Sequence, residues 1–295
     1  MQLESLRRVT AIGGGHGLGR LLSTLSFMKH KLVGIVATTD NGGATGLLRE
    51  SHHCIAWGDI RNCLSQLAEQ PLATDVLNYR FAEGTSLAGH NFGNLLLYTL
   101  DQLSARPLDG IKLLSGLLNI DNRLLPMSET PTDLIADTHE GLECYGEIHI
   151  DALTKMPNQL RLQGDVKATP EAIHHLQRSD LVILGPGSFM TSVMPPLLVP
   201  EIAQAIADSK AKVVFVDNLV AEYGPAGDLT LAERLDWMAQ QVGHQLVDVV
   251  VSANADSSVK LPIITGVVSE EGMPHRHQRV ALLQALDRAV QTLYR

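Results

Sequence analysis

The sequence predicts an α/β fold built on a mostly parallel sheet with flanking helices, and three observations carry that prediction. Short apolar runs rich in β-branched residues recur along the 295 residues, without the polar/apolar alternation of a half-exposed strand. Such runs suit strands buried on both faces. Each run ends in Gly, Asp or Asn, and each of these turns leads into apolar spacing of helical period. A repeated strand–turn–helix succession is the pattern of a Rossmann-like domain.

In chain order, the run 9–12 meets the cluster Gly13-Gly14-Gly15, after which Leu18, Leu21, Leu22, Leu25 and Met28 share one helical face. The run 32–37 precedes Thr38-Thr39-Asp40-Asn41-Gly42-Gly43. Residues 58–118 read as mainly helical, with Pro71 and Pro107 as helix starts. The stretch 119–166 breaks the rhythm. Its segments 132–136 and 142–150 are strand-like, and Thr138-His139-Glu140-Gly141 resembles a hairpin turn. It holds too little apolar surface to fold alone, so it reads as a small β insertion within one α/β domain spanning 1–295. The runs 181–184, 213–216 and 247–251 resume the pattern, and Leu282, Leu286, Val290 and Leu293 define a last amphipathic helix.

Composition narrows the function classes. With 45% hydrophobic and 19% charged residues the chain can bury a sizeable core, which excludes global disorder. The net charge of −9 argues against broad binding to a phosphate backbone, so no nucleic-acid partner is expected. Cys54, Cys63 and Cys144 show no CxxC spacing and cannot all pair, as in a reducing cytoplasm. No apolar stretch reaches the ~18–20 residues of a membrane helix. A cytoplasmic chain with no membrane partner is expected.

The residues that could carry chemistry sit on turns. Gly13-Gly14-Gly15-His16-Gly17-Leu18-Gly19-Arg20 links a buried strand to a helix, where free amides attract anions. It matches neither G-x-G-x-x-G nor the P-loop, so the run alone leaves phosphate binding and a tight structural turn both open. Asp40 could hold a ribose hydroxyl, ligate Mg²⁺ or simply close an Asx-turn. Gly58-Asp59-Ile60-Arg61-Asn62 combines an acid, a planar cation and an amide, with an ordinary N-cap as the alternative. Gly89-His90-Asn91-Phe92-Gly93-Asn94 carries more polar side chains than a helix start needs. Gly185-Pro186-Gly187-Ser188 is a candidate phosphate nest or a rigid turn, and Asp217-Asn218 ends the next strand. His275-Arg276-His277 is either a surface knot or a clamp on an anion. No HExxH or Cys/His grouping points to zinc.

Taken together and in this order, these motifs, with Tyr79-Arg80-Phe81, resemble the gluconeogenesis factor (YvcK-like) proteins and the related CofD-like 2-phospho-L-lactate transferases. The chain departs from that pattern at His16, usually Thr; at Asn41, usually a second Asp; and at Ala44-Thr45, usually two serines. The resemblance implies a UDP-sugar ligand, notably UDP-N-acetylglucosamine, and a role in cell shape on gluconeogenic carbon sources. For the transferase branch it implies Mg²⁺-dependent phospholactyl transfer from a guanylylated donor to a deazaflavin. The first is the main expectation, that of a binding regulator. Its ligand residues would be Gly13, Gly14, Gly15, Asn41, Gly42, Arg61, Asn62, His90, Asn91, Asn94, Gly185, Gly187, Ser188 and Asn218. Asp40 and Asp59 would act only if the chain is an enzyme, with Asp40 the metal ligand. Mg²⁺ is the one cofactor implied, no tightly bound organic cofactor is expected, and a homo-oligomer is compatible with the sequence.

Overall fold

The structure, a computed structural model, describes residues 1–294. Its strands are β1 (Val9–Gly13), β2 (Leu32–Val36), β3 (Arg123–Pro126), β4 (Leu134–Asp137), β5 (Glu143–Tyr145), β6 (Gln159–Leu162), β7 (Leu181–Leu184), β8 (Lys212–Val216), β9 (Val249–Val251), β10 (Ile263–Ile264), β11 (Ser269–Glu270) and β12 (Met273–His277). Seven of them form one sheet in the order β10-β9-β8-β7-β1-β2-β3, and every pairing in it is parallel. The predicted α/β class and parallel sheet are what the chain adopts.

Alternate residues along each central strand feed two separate apolar layers. Val9, Ala11, Leu181, Ile183, Val214 and Val216 pack with Leu18, Leu22, Leu64 and the C-terminal helix residues Leu282 and Leu286. Ile12, Val182, Leu184, Val213 and Phe215 face the other way, onto Phe189, Met194 and Ile202. Both faces are therefore covered, which is why the strands read as unbroken apolar runs.

The helices begin and end where local chemistry dictates. Pro71, Pro107, Pro170 and Pro200 each open a helix, where the missing N–H costs nothing. Thr230 and Glu233 form a capping box at the start of Leu231–Val242, and Gly243, at φ 86°, stops it. Among the described residues no single helix is long and apolar enough to cross a membrane. The apolar pair Phe189–Leu197 and Pro200–Asp208 is bent by 73° and contributes Met190, Val193, Leu197 and Ile206 to the core.

The segment after β3 departs from the sequence reading in two ways. Arg123–Pro126 is the edge strand of the main sheet, so the antiparallel sheet β5-β4-β6 starts only at Leu134. Residues 147–150, read as strand, are part of the helix Glu147–Asp151. Gly146, at φ 81°, turns the chain out of β5 and donates its N–H to the Leu134 carbonyl, and the helix follows.

At Gly34 of β2 the helix Gly15–Thr24 lies directly on the sheet. A Cβ there would stand 2.8 Å from Leu22 Cδ1 and 3.0 Å from Leu124 Cδ2. Leu22→Ala is expected to cost ~2–5 kcal/mol and Gly34→Ala ~1–3 kcal/mol in urea unfolding. The double variant should cost clearly less than the two together, because the added methyl fills part of the space left by Leu22.

Candidate functional site

The chain turns from one half of the sheet to the other between β1 and β7, and in open α/β sheets ligands bind beyond the carboxyl ends of the strands at that point. A cleft of about 670 Å³ lies there. His16 and Gly17 enter it from the turn after β1, Pro186, Gly187 and Ser188 from the turn after β7, and Asn218 and Glu222 from the segment after β8. The cleft exists because the turns lack side chains. A Cβ on Gly17 would fall 2.2 Å from the Pro186 carbonyl oxygen, and one on Gly14 would fall 2.3 Å from Asp59 Oδ2. Gly14 is extended and caps the helix Gly15–Thr24, the Gly15 amide of which goes to the Asp59 carboxylate. Asn218 holds the opposite turn by accepting from Gly187 N (3.2 Å) and donating to Gly187 O (2.9 Å).

Beneath the first turn lies an acidic floor. Asp40 Oδ1 accepts from Gly42 N at 2.7 Å, closing the Asx-turn, while Oδ2 faces Gly58, where a Cβ would be 2.7 Å away. Asp59 is buried against Gly14 and Gly15. Burial and then the neighbouring Asp40 charge push its carboxyl above the usual range, opposed by the Gly15 amide and Arg61. Glu147 is pushed up to about 9 by burial first and by Asp40, Asp59 and Asp151 after it. Asp151, which accepts from Thr191 Oγ1 at 3.3 Å, rises to about 6, again chiefly by burial. Ser188 Oγ in turn pairs with Thr191 Oγ1 at 2.7 Å, tying this floor to the second turn.

The far wall is basic. Arg20, its side chain 7% exposed, donates to the His277 carbonyl at 2.8 Å and to Glu270 Oε2 at 2.7 Å. Arg276 Nε shares that Glu270 oxygen at 3.1 Å. The hairpin of β11 and β12 thus sets His275, Arg276 and His277 along the cleft beside Arg20, which makes the clamp reading of this triplet the geometrically apt one. Burial, with Arg61 and Arg276 nearby, lowers the His16 pKa, so its imidazole is neutral at pH 7.

The residues singled out from sequence divide in two. Asn62, Gly187, Ser188 and Asn218 line the cleft, Gly14 and Gly15 lead into the His16 and Gly17 that line it, and Asp40, Gly42 and Asp59 lie together under the first turn, outside the cleft's lining. The others hold the scaffold. Gly13 accepts from Ala37 N, and Gly185, at φ 73°, packs against the Val216 carbonyl. Asn41 Oδ1 accepts from Ile148 N at 3.2 Å, so it anchors the insertion helix and does not reach for a ligand. Arg61 is buried, donating Nε to Asn94 Oδ1 (3.1 Å) and Nη1 to Asn78 Oδ1. Asn91 caps the helix Phe92–Leu103, and the His90 backbone closes the preceding loop on Phe81. These polar groups answer one another across buried ground. Arg20, Glu147, Asp151 and Glu222 were not foreseen. Arg20 carried the one usable signal, a cation one turn into a glycine-started helix.

Glu147 makes a pH-dependent contribution to stability. Its folded pKa, about 9, lies above the ordinary 4.5, so its contribution is complete below about 4.5 and is lost as pH rises through about 9. Stability should fall by up to ~1.4 kcal/mol per pH unit across that window. Thermal melts are expected to show Glu147→Gln more stable than the parent at pH 8 and with a flatter decline between pH 6 and 9.

The family described as "2-phospho-L-lactate transferase CofD" matches residues 9–289. A protein of Yersinia pestis named "Putative gluconeogenesis factor" is 48% identical over 99% of this chain and 96% of its own length. The "Gluconeogenesis factor" of Listeria monocytogenes is 34% identical over 84% of this chain and 78% of that protein. A crystal structure of a UPF0052 family member from Bacillus halodurans superposes with a TM-score of 0.87 at 28% identity, covering 95% of this chain and 98% of that one. The match takes in both glycine turns, the acidic floor and the basic hairpin: the chain belongs to the CofD family, among relatives that carry the gluconeogenesis factor name.

Proposed function

We propose that the chain is a nucleotide-sugar-binding regulatory protein, with UDP-N-acetylglucosamine as the ligand class, supporting cell shape and envelope morphogenesis during growth on gluconeogenic carbon sources. The observation that carries this reading is the division of charge around the cleft. Arg20 and Arg276 line the same space of ligand size as His16 and Gly17 at the start of the Gly15–Thr24 helix, so a diphosphate there would meet two guanidinium groups beside the helix amino end. Arg276 and Arg20 already share one carboxylate, which a ligand phosphate would replace in kind. Asn62, Asn218 and Ser188 offer hydrogen bonds for a sugar or base.

The alternative is a Mg²⁺-dependent transferase of the phospholactyl type, and the acidic floor favours it. Asp40 and Asp59 are close enough for mutual repulsion to raise the Asp59 pKa, and a cation between them would relieve it. Magnesium is commonly held by one or two carboxylates with waters and substrate phosphates, so these two residues fit it and would hold it. Bound there, it would neutralise charge on a transferring phosphoryl group. Against that reading, Asn41 supplies no second charge and is engaged by Ile148, and the burial of Glu147 favours its neutral form. Binding requires only what the cleft wall already holds.

Calorimetric titration is expected to show UDP-N-acetylglucosamine binding and its recovery unchanged after long incubation with Mg²⁺. Arg276→Ala should weaken binding by about tenfold or more, the loss of one charge-assisted contact of ~1.5–3 kcal/mol. Asp40→Asn should weaken it less. Turnover that scales with protein concentration and vanishes in Asp40→Asn would establish the transferase reading instead. In cells lacking the chain, the parent but not Arg276→Ala should restore normal shape on a gluconeogenic carbon source.

A further inference from the structure

A second basic cluster stands at the amino edge of the sheet, one strand length or about 16 Å from the cleft. Arg8 precedes β1, Arg123 opens β3, and His174, His175 and Arg178 sit on or just after the helix Pro170–Leu176. Arg123 Nη1 donates to His175 Nε2 at 3.3 Å, and Arg178 Nη1 to His174 Nε2 at 2.7 Å. The two imidazoles meet edge to face at 5.9 Å. Among the described residues none of these three arginines pairs with a carboxylate, and Arg8 Nη1 is buried with no partner. Asp180, the acid in their midst, accepts instead from the backbone N–H of Arg7 and Arg8. Three guanidinium groups around His175, none of them paired with a carboxylate among the described residues, are unusual in a chain of net charge −9.

A cavity of about 500 Å³ opens beside Arg123 and His175. Ile120, Leu124 and Leu125 supply its apolar lining. Its two carboxylates are already engaged, Asp121 with Lys29 and Glu171 with Arg106 and Lys112. Of the two cationic side chains that line it, Lys112 is engaged by Glu171, and Arg123 has no carboxylate partner among the described residues. Burial and the surrounding arginines push the His175 pKa down to about 4, so its ring is a neutral acceptor for Arg123 and adds no competing negative charge.

We propose that this amino-edge cavity is a second ligand site, for a small phosphate monoester carrying an apolar or ring substituent. The phosphate would take the fork of Arg123 with Arg178 close by, and the substituent would lie on Ile120, Leu124 and Leu125. Sharing no residue with the cleft, the site would bind its ligand independently of a nucleotide-sugar.

The test is titration of the full chain with phenyl phosphate, inorganic phosphate and benzoate, followed by calorimetry and by the histidine ring signals in NMR. Phenyl phosphate should bind more tightly than either of the other two, shift the His175 and His174 signals, and persist in a saturating excess of UDP-N-acetylglucosamine. Arg123→Ala, at an exposed position where folding is not at risk, should raise its Kd about tenfold or more, and Arg178→Ala should also raise it. Equal affinity in parent and Arg123→Ala, or displacement by the nucleotide-sugar, would overturn the proposal. Inorganic phosphate binding as well as phenyl phosphate would remove the apolar subsite, and tighter binding of benzoate would remove the phosphate assignment.

Discussion

Gly17 stands so close to the Pro186 carbonyl that a single methyl group would separate the turns after β1 and β7, and much of the carboxyl edge depends on that approach. Because the two turns touch, the helix after β1 starts immediately beside the segment after β7. His16 and Gly17 of that helix and Gly187 and Ser188 of the facing turn then line one space. Gly14 extends the same constraint inward, since only a residue without a side chain leaves room for the Asp59 carboxylate beneath it. The parallel sheet sets where the turns emerge, and the missing side chains set how near they come.

That closeness sorts charge by depth. Carboxylates from three separate segments, at Asp40, Asp59 and Glu147, collect under the first turn, and the guanidinium groups of Arg20 and Arg276 meet at Glu270 along the cleft. The insertion is part of this arrangement. Asn41 fixes its helix through Ile148, and that helix delivers Glu147 to Asp40 and Asp59. The Asn41 amide thus joins two parts of the fold.

The sheet was legible because strands buried on both faces leave unbroken apolar runs, as at 181–184 and 213–216. β10 escaped notice because it has only two residues, and β3 because it ends at Pro126 with no Gly, Asp or Asn to mark the turn. The glycine turns could be read for a related reason: an absent side chain has few purposes. Arg61, Asn91 and Asn94 misled for the opposite reason, since the groups that bind phosphate are also those that satisfy one another in a buried network. Arg20 belongs to the cleft only because Glu270 and His277, some 250 residues on, fold back over it. Local spacing carries no record of such a meeting.

The buried acids have a consequence for the molecule's charge in solution. The value of −9 counts every carboxylate as ionised, yet Glu147 retains its proton at neutral pH and Asp151 and Asp59 are displaced the same way. At neutral pH the folded chain is therefore less negative than its composition. Unfolding releases those protons into the buffer. The native protein and its denatured form should migrate differently in an electric field for that reason alone, before any difference in size is considered.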